Sequence, residues 1–331
     1  MSDIIELNRD VEPFVIQASA TRTHFFKIKF DDRFTPLQFV HLADAHSVLD
    51  LWNRMVEYVN YYKDYLSFAM HTGDYCGNSQ AVYTDFYNDG IPCERPVLNC
   101  VGNHDTIKTK FEDKPIQPKE LTHSLLFNRT EGWDVTFMDI PHSMTYYKDF
   151  PESNVRLIVL DNYYHLEEQR KWLAERLLEA RTAGLFVITA SHETTGDVKD
   201  TYGVTFHTPN DYVSLNGKDE KKAFEEDIVD FINRGGTHIC HLAGHHHHNL
   251  FGRTDAGVLN VTVPCATCWP HWCDGKRVKG TKTYDCFNVV AIDANLHHLK
   301  LVRVGDNCDH FMRIKRTLCY DFINHRVVFN G

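Results

Sequence analysis

Five short segments of the chain carry side chains that can bind metals, and each follows an apolar run that predicts a β-strand. They are Asp44-Ala45-His46, Gly73-Asp74, Gly102-Asn103-His104-Asp105, Ser191-His192 and Gly244-His245-His246-His247. In an open α/β sheet, the loops at the carboxyl ends of the strands meet in one crevice, so we expect these side chains to lie together. Carboxylate oxygen combined with imidazole nitrogen suits Zn, Mn or Fe better than Ca.

The first two segments offer carboxylates at sharp turns. Asp44 and His46 are two residues apart, a spacing that can direct both side chains to one metal. Asp74 follows Gly73, which permits a sharp bend, and its two carboxylate oxygens can bridge two cations. Taken singly, each Asp could instead cap a helix or a turn. The three further segments favour the ligand interpretation.

The third segment contains more than ligands. Asn103 offers a neutral oxygen, which limits the negative charge around a metal pair. His104 could protonate a leaving alkoxide or stabilise a phosphoryl group in transfer. Asp105 could accept a hydrogen bond from His104 and fix its tautomer, although a capping role is an equal alternative.

The remaining histidines divide into two kinds. His192, His245 and His247 each follow a predicted strand and are candidate ligands, whereas His246 is expected to point away from them. Three others lie inside predicted strands and are expected to be core or edge residues: His41, His238 and His241.

The order of the five segments resembles the D-x-H, G-D, G-N-H-D/E, H, G-H-x-H pattern of the calcineurin-like metallophosphoesterase superfamily, over residues 38–248. The resemblance implies an α/β (α+β) fold, a two-layer β-sandwich flanked by helices. It also implies a dinuclear centre of two divalent or mixed-valence ions (Mn, Fe or Zn), at which a metal-bridged hydroxide attacks phosphorus.

The same resemblance implies a role for each site residue. One metal would be held by Asp44, His46 and His247, and the other by Asn103, His192 and His245. Asp74 would bridge the two metals. His104 would lie beside them without binding either.

At two positions the sequence differs from particular branches of this superfamily. Gly77 stands where purple acid phosphatases have an iron-binding tyrosine, and Val101 stands where serine/threonine protein phosphatases have an arginine. Asp105 and the stretch 160–173 are more similar to bacterial relatives that cleave cyclic nucleotides. These features favour a phosphodiester over a monoester as substrate.

Composition limits the classes of partner. The net charge of −10 argues against a general nucleic-acid surface, yet a metal pair would still attract a small phosphorylated substrate. We expect no signal peptide, because the start lacks a basic segment and an apolar run. No apolar run approaches the roughly 18 residues of a membrane span. Ten cysteines then predict reduced thiols and a cytoplasmic location. Nothing indicates a protein partner.

The chain as a whole (1–331) is predicted to form one domain. Residues 1–36 are expected to be an N-terminal edge segment, with a strand around Phe25–Ile28. Helices are predicted after Asp44-Ala45-His46, near Glu167–Thr182 and near Asp219–Arg234, the last ending at Gly235-Gly236. Residues 258–331 are expected to be mostly strands of a second sheet. The segments 106–150 and 193–218 are expected to be long loops, either site walls or ordinary surface.

Two alternatives remain open. Cys265 and Cys268, with His271 and Cys273, have a spacing that could hold zinc, or they could belong to a loop beside the pocket. The whole chain could be a nuclease of the same fold, a phosphomonoesterase or a non-catalytic scaffold. Retention of every ligand position and of His104 favours an enzyme.

Overall fold

The computed structural model describes part of the chain, and the fold is given for that part. The described residues are 7–13, 33–75, 89–105, 129–140, 143–163, 166–200, 203, 205–207, 221–266, 277–305 and 316–331. None of the helices within them is long and apolar enough to cross a membrane.

Three α-helices are described over their whole length, and all three were predicted. They are α1 (Leu49–Tyr61), α2 (Leu166–Ala183) and α3 (Lys221–Asn233). The end of α3 is the expected glycine cap. Gly235 has φ +87°, the amide of Gly236 donates to the carbonyl of Phe231, and the amide of Gly235 donates to that of Ile232. These are the two bonds of a Schellman motif.

Sixteen strands are seen in the same residues. They are β1 (Leu37–Leu42), β2 (Phe68–His71), β3 (Val97–Asn99), β4 (Thr136–Phe137), β5 (Tyr146–Phe150), β6 (Val155–Val159), β7 (Phe186–Ala190), β8 (Val198–Asp200), β9 (Thr205–Phe206), β10 (His238–Ala243), β11 (Phe251–Arg253), β12 (Leu259–Thr262), β13 (Cys286–Asp293), β14 (His298–Gly305), β15 (Thr317–Asp321) and β16 (Arg326–Asn330).

The strands form two large sheets. The seven-stranded sheet, sheet A, has the order β16-β15-β14-β13-β1-β2-β3, and the nine-stranded sheet, sheet B, has the order β4-β5-β6-β7-β10-β12-β11-β8-β9. Each sheet contains parallel pairs, among them β1 with β2 toward one edge of sheet A and β7 with β10 near the centre of sheet B. Helices connect these parallel strands, because a parallel pair needs a crossover.

The two sheets pack face to face around a shared core. Successive side chains of β6 face different layers of the fold. Leu157 and Val159 belong to the core shared with sheet A, while Ile158 packs with Leu173 and Phe231 of the helices. Side chains on a strand alternate between its two faces. The Phe68 ring of sheet A stacks on the Phe150 ring of sheet B, with centroids 5.2 Å apart. The predicted two-layer sandwich with flanking helices is confirmed.

Two expectations about the sheets were wrong. The five motif strands do not share one sheet, since β1, β2 and β3 belong to sheet A and β7 and β10 to sheet B. The strands of 258–331 do not make up a second sheet either. β12 joins sheet B, whereas β13 pairs antiparallel with β1 and brings β14 to β16 into sheet A.

Some expected loops contain strands. β4 and β5 lie within 106–150, and β8 and β9 lie within 193–218. The predicted edge strand near Phe25–Ile28 lies outside the described residues, as does Gly77.

Candidate metal centre

The five motif loops meet where strands of both sheets end. Within sheet A, the amide of Asp44 donates to the carbonyl of Gly73 at 3.0 Å. Within sheet B, the amide of Gly244 donates to the carbonyl of His192 at 3.0 Å. The amide of His245 donates to Oδ2 of Asp44 at 3.2 Å and so joins the two sheets. The convergence predicted from the sequence is therefore present, although two sheets supply the loops.

Glycines let the loops approach this closely. A Cβ atom at Gly102 would lie 2.2 Å from the backbone nitrogen of Asp74, and one at Gly244 would lie 2.8 Å from Oδ2 of Asp44. Real Cβ atoms do not come so near to other heavy atoms. Any larger residue at either position would push the carboxylates away from the centre.

The motif loops also concentrate left-handed backbone. Ten described residues other than glycine have positive φ, and six of them belong to or adjoin these loops. The six are Asp44, His46, Ser47, Asp74, His245 and His247. Asp and His tolerate this region better than most residues, but it remains costly. Such strain gathers at functional sites, where the surrounding structure enforces it.

One group of predicted ligands is tightly clustered. Oδ1 of Asn103 lies 3.0 Å from Nε2 of His192 and 3.0 Å from Nδ1 of His245. The two histidine nitrogens are 3.2 Å apart. Donors that each lie about 2.1 Å from one ion would be roughly 3.0–3.4 Å from one another, so the three atoms match a coordination sphere.

The orientation of His192 suits a ligand. Its Nδ1 lies 2.7 Å from the backbone carbonyl of Thr72, which can only accept, so Nδ1 donates and Nε2 faces the other ligands. Burial lowers the pKa of His192, but the carboxylate of Asp74 has the larger effect and raises the pKa to about 9. In the metal-free protein a proton therefore stands on this side chain, and metal binding would displace it.

In the second group of predicted ligands, which is the more open one, the ligand atoms lie farther apart. Nε2 of His247 lies 3.3 Å from Oδ1 of Asp44 and 3.4 Å from Nε2 of His46. Ligand atoms of these three residues and of Asp74 all lie within 4.8 Å of one another. Burial lowers the pKa of His247, but the carboxylate of Asp44 and the neighbouring Cys265 raise it to about 11.

Asp74 lies between the two groups. Its Oδ2 is 3.3 Å from Nε2 of His192 and 4.0 Å from Nε2 of His46, while its Oδ1 accepts from the amide of His104 at 2.8 Å. Burial raises the pKa of this carboxyl, but His192 and its neighbours bring it well below the usual value. The position is the one expected of a bridging ligand.

The charge balance of the site fits a pair of metal ions. Asp44 and Asp74 are fully buried, and among the described residues their only ion-pair partners are histidines. Oδ1 of Asp44 has no hydrogen-bond partner in that part of the chain. Buried carboxylates are costly unless a cation compensates them. In the metal-free protein the protonated side chains of His192 and His247 would compensate them, and divalent ions held between the two groups would take over that role when the protons leave.

His104 lies beside both groups and belongs to neither. Its Nε2 is 3.8 Å from Oδ2 of Asp74, and its side chain is 20% exposed, whereas the side chains of Asp74 and His192 are fully buried. Its ring meets the edge of the His46 ring with centroids 4.8 Å apart. This is the place predicted for a residue that faces the substrate.

Asp105 lies differently from the expectation. Its Oδ2 accepts from the amide of Gly102 at 2.8 Å, which is the capping role considered as an alternative. Nδ1 of His104 is buried and has no hydrogen-bond partner among the described residues. The expected hydrogen bond from Nδ1 of His104 to Asp105 is therefore absent, and a catalytic role for Asp105 remains only a prediction.

The histidines predicted to lie outside the centre do so. Nε2 of His246 contacts Oγ1 of Thr194 at 3.1 Å, and its ring meets that of His245 edge-on with centroids 5.8 Å apart. His41 lies in β1, and His238 and His241 lie in β10, all buried. Burial lowers the pKa of His238 to about 3 and that of His241 to about 4, so both are neutral near pH 7.

Sequence reasoning missed two features of the site. The Thr72 carbonyl orients His192, and a backbone atom gives no signal in a sequence. Cys265 lies against Asp44, a contact that neither alternative for this cysteine, a zinc site or a loop beside the pocket, specified. Cys268, His271 and Cys273 lie outside the described residues. The apolar run that forms β12 could have revealed the contact of Cys265, because β12 runs parallel to β10 and its end faces the same way.

Comparison with solved structures identifies the fold. The chain is similar to a dimetal phosphatase from Danio rerio, with a TM-score of 0.51 and 14% identity over 81% of this chain and 96% of that chain. The chain has a calcineurin-like metallophosphoesterase fold. At this identity the likeness establishes the fold alone, and the chemistry must be argued from the site.

Other solved structures are more distant. A purple acid phosphatase from yellow lupin seeds matches with a TM-score of 0.47 and 11% identity, over 82% of this chain and 52% of that one. The anchor in the inner membrane complex of Plasmodium matches with a TM-score of 0.44 and 12% identity, over 84% of this chain and 87% of that one. The chain thus spans about half the length of the lupin protein. The sequence matches no model of a known protein family and no curated protein.

Proposed function

We propose that the protein is a metal-dependent hydrolase of phosphate esters that cleaves diesters at least as readily as monoesters. The observation that carries the proposal is the convergence of two groups of metal-binding atoms on either side of Asp74, with His104 beside them. The fold is one in which a dimetal phosphatase is known.

The two groups would hold one metal each, and Asp74 would contact both. Mn, Fe and Zn all suit carboxylate and imidazole donors. When bound, such ions acidify a water molecule and neutralise phosphoryl oxygens. The side chains of the protein then have three tasks: to fix the ions, to exclude other cations from the buried carboxylates, and to deliver a proton.

His104 would deliver that proton. It touches the centre at Asp74 but remains partly exposed, so a leaving alcohol can reach its ring. The protonated imidazole would donate to the alkoxide oxygen as the ester bond breaks. Asp105 would act indirectly, through the turn that it caps.

The preference for a diester rests on missing positive charge. Val101, where an arginine would help to hold phosphate in one monoesterase branch, is fully buried and apolar. A diester carries one negative charge fewer than a monoester dianion, so it needs less cationic help beyond the metals. It also has a second alcohol group for which His104 is a ready acid.

We propose a small phosphorylated molecule as substrate and a cytoplasmic location. The net charge of −10 disfavours a long anionic chain. None of the six described cysteines forms a disulfide, which agrees with a reducing compartment.

A direct assay tests the proposal. Protein depleted of metal and then supplied with Mn should hydrolyse an activated aryl phosphodiester at neutral pH at least as fast as the matching monoester, and a chelator should abolish both activities. Monoester hydrolysis alone would overturn the diester preference. Cleavage of nucleic acid alone would favour the nuclease alternative. No hydrolysis by protein that binds two metals would favour a scaffold.

A further inference from the structure

Cys265 lies at the candidate metal centre. It follows β12, which runs parallel to β10, so it leaves sheet B in the same direction as the loop of His245 and His247. Cys265 is 3% exposed. The next amide, of Ala266, donates to the carbonyl of Ala43 at 3.2 Å and ties this loop to the first motif of sheet A.

The thiol faces the more open of the two ligand groups. Sγ of Cys265 and ring nitrogens of His46 and His247 all lie within 4.8 Å of one another. Sγ also donates to the backbone carbonyl of Asp44 at 3.3 Å. The same group contains Oδ1 of Asp44, buried without a hydrogen-bond partner among the described residues and 3.3 Å from Nε2 of His247.

The backbone holds the cysteine in this position. The guanidinium of Arg277 is buried and donates to the carbonyl of Cys265 at 2.9 Å and to that of Ala266 at 2.8 Å. A loop fixed from both sides leaves the thiol little room to turn elsewhere. Its surroundings therefore differ from those of Cys240, a thiol inside β10 whose neighbours belong to the apolar core.

We infer that Cys265 is a thiolate ligand of the metal held by His46 and His247, and that it makes this half of the centre select zinc, cobalt or ferrous iron over manganese. The inference rests on the proposed function. On binding, the S–H bond breaks, the proton leaves to solvent and a sulfur–metal bond forms. Sulfur at about 2.3 Å and nitrogen at about 2.1 Å from one ion lie roughly 3.6 Å apart, within reach of small side-chain adjustments.

The chemical consequence is a centre with two unlike halves. The group of Asn103, His192 and His245 offers oxygen and nitrogen, which manganese accepts. A thiolate in the other half favours softer ions. The two positions would then fill with different metals when both kinds are supplied.

Cobalt substitution tests the inference through a signal other than activity. Full-length protein reconstituted with Co(II) should show a thiolate-to-cobalt charge-transfer band in the near ultraviolet. Cys265→Ser should lose that band and keep the weaker visible bands of cobalt bound to nitrogen and oxygen. Cys240→Ser, which removes another buried thiol, should keep both. Zinc affinity of the Cys265→Ser half-site should fall by at least about tenfold, since even groups that only orient ligands are worth that much.

The outcomes separate the inference from the proposed function. Visible cobalt bands without a thiolate band, or a thiolate band that survives Cys265→Ser, would overturn the inference and leave the metal centre intact. Absence of any cobalt binding would overturn the metal centre itself.

Discussion

Individual side chains at the centre have separable tasks. The ligand groups are built from largely buried donors, whereas His104 is partly exposed and contacts the centre at Asp74 and at the ring of His46. This difference in position predicts different consequences when each residue is removed.

Asp74 should be required for metal binding. Asp74→Ala removes the carboxylate that lies between the two groups, so we expect fewer than two metals per chain and nearly complete loss of phosphoesterase activity. The circular dichroism spectrum should be retained, because no sheet depends on that side chain. Metal analysis of purified protein checks this. Two bound metals with full activity in the variant would remove Asp74 from the site.

His104 should be required for turnover but not for metal. His104→Ala should retain both metals and lose about 10²–10⁴-fold in kcat, the usual contribution of a positioned acid or base. His325→Ala is the matched control, since the described residues that contact its ring are Arg253 and Tyr320 rather than predicted ligands. A variant without metals would show instead that His104 is a ligand.

The convergence of most candidate residues could be predicted from the sequence, but their individual contacts could not. The motif spacing indicated Asp44, Asp74 and His192 because residue type and strand position are both visible in a sequence. The capping bond of Asp105 was only an alternative, because whether a carboxylate faces its own turn or a neighbouring ring depends on backbone dihedral angles.

At the scale of elements, the turns between strand and ligand decide the geometry of the centre. Two motif loops touch at Gly102, where even a methyl group would collide with the backbone of Asp74. The stability of those turns and the metal affinity should therefore change together.

Gly102→Ala tests this coupling. The added Cβ would lie 2.2 Å from both the nitrogen and Oδ1 of Asp74, so the second and third motif loops must move apart. We expect a lower melting temperature and loss of at least one metal. Gly132→Ala is the control, because a Cβ there meets nothing within 4 Å of it. Calorimetry combined with metal analysis gives both readouts, and unchanged metal content in Gly102→Ala would contradict the proposed coupling.

The strands themselves were easier to predict than the strands with which they pair. The apolar runs that form β12 to β15 are visible in the sequence, but the pairing of β13 with β1 joins residues about 250 positions apart. Nothing in the alternation of a strand specifies its partner in another part of the chain. Among the strands that were missed, β4 is very short and β16 is mostly exposed.

Considered as a whole, the molecule has buried histidines away from the centre that should make it sensitive to acid. His238 and His241 share a hydroxyl partner, Oγ1 of Thr189, at 2.9 and 2.8 Å. Burial lowers their pKa values to about 3 and about 4, whereas in the unfolded chain each would titrate near 6.5.

The sign of the effect follows from these values. Below pH 6.5, His238 and His241 bind protons in the unfolded chain but remain neutral in the folded protein. The free energy of unfolding therefore falls as the pH drops from 6.5 toward 4. Each such histidine contributes up to about 1.4 kcal/mol per pH unit in that window. Chemical denaturation of metal-free protein at pH 7 and pH 5 should show the loss, and His241→Gln should reduce it. An equal loss in the variant would contradict the assignment to His241.

The division of the ligands between two sheets has a consequence for the newly made chain. Asp44, Asp74 and Asn103 leave the ribosome well before His192 and His247, and β13, which completes the surroundings of β1, comes later still. Early in translation the three polar loops of sheet A have no partners across the sandwich. A nascent chain therefore cannot bind both ions until its second half has folded. Metal binding is then a late step of biogenesis, and a chain with two bound metals is one in which the two sheets have packed together.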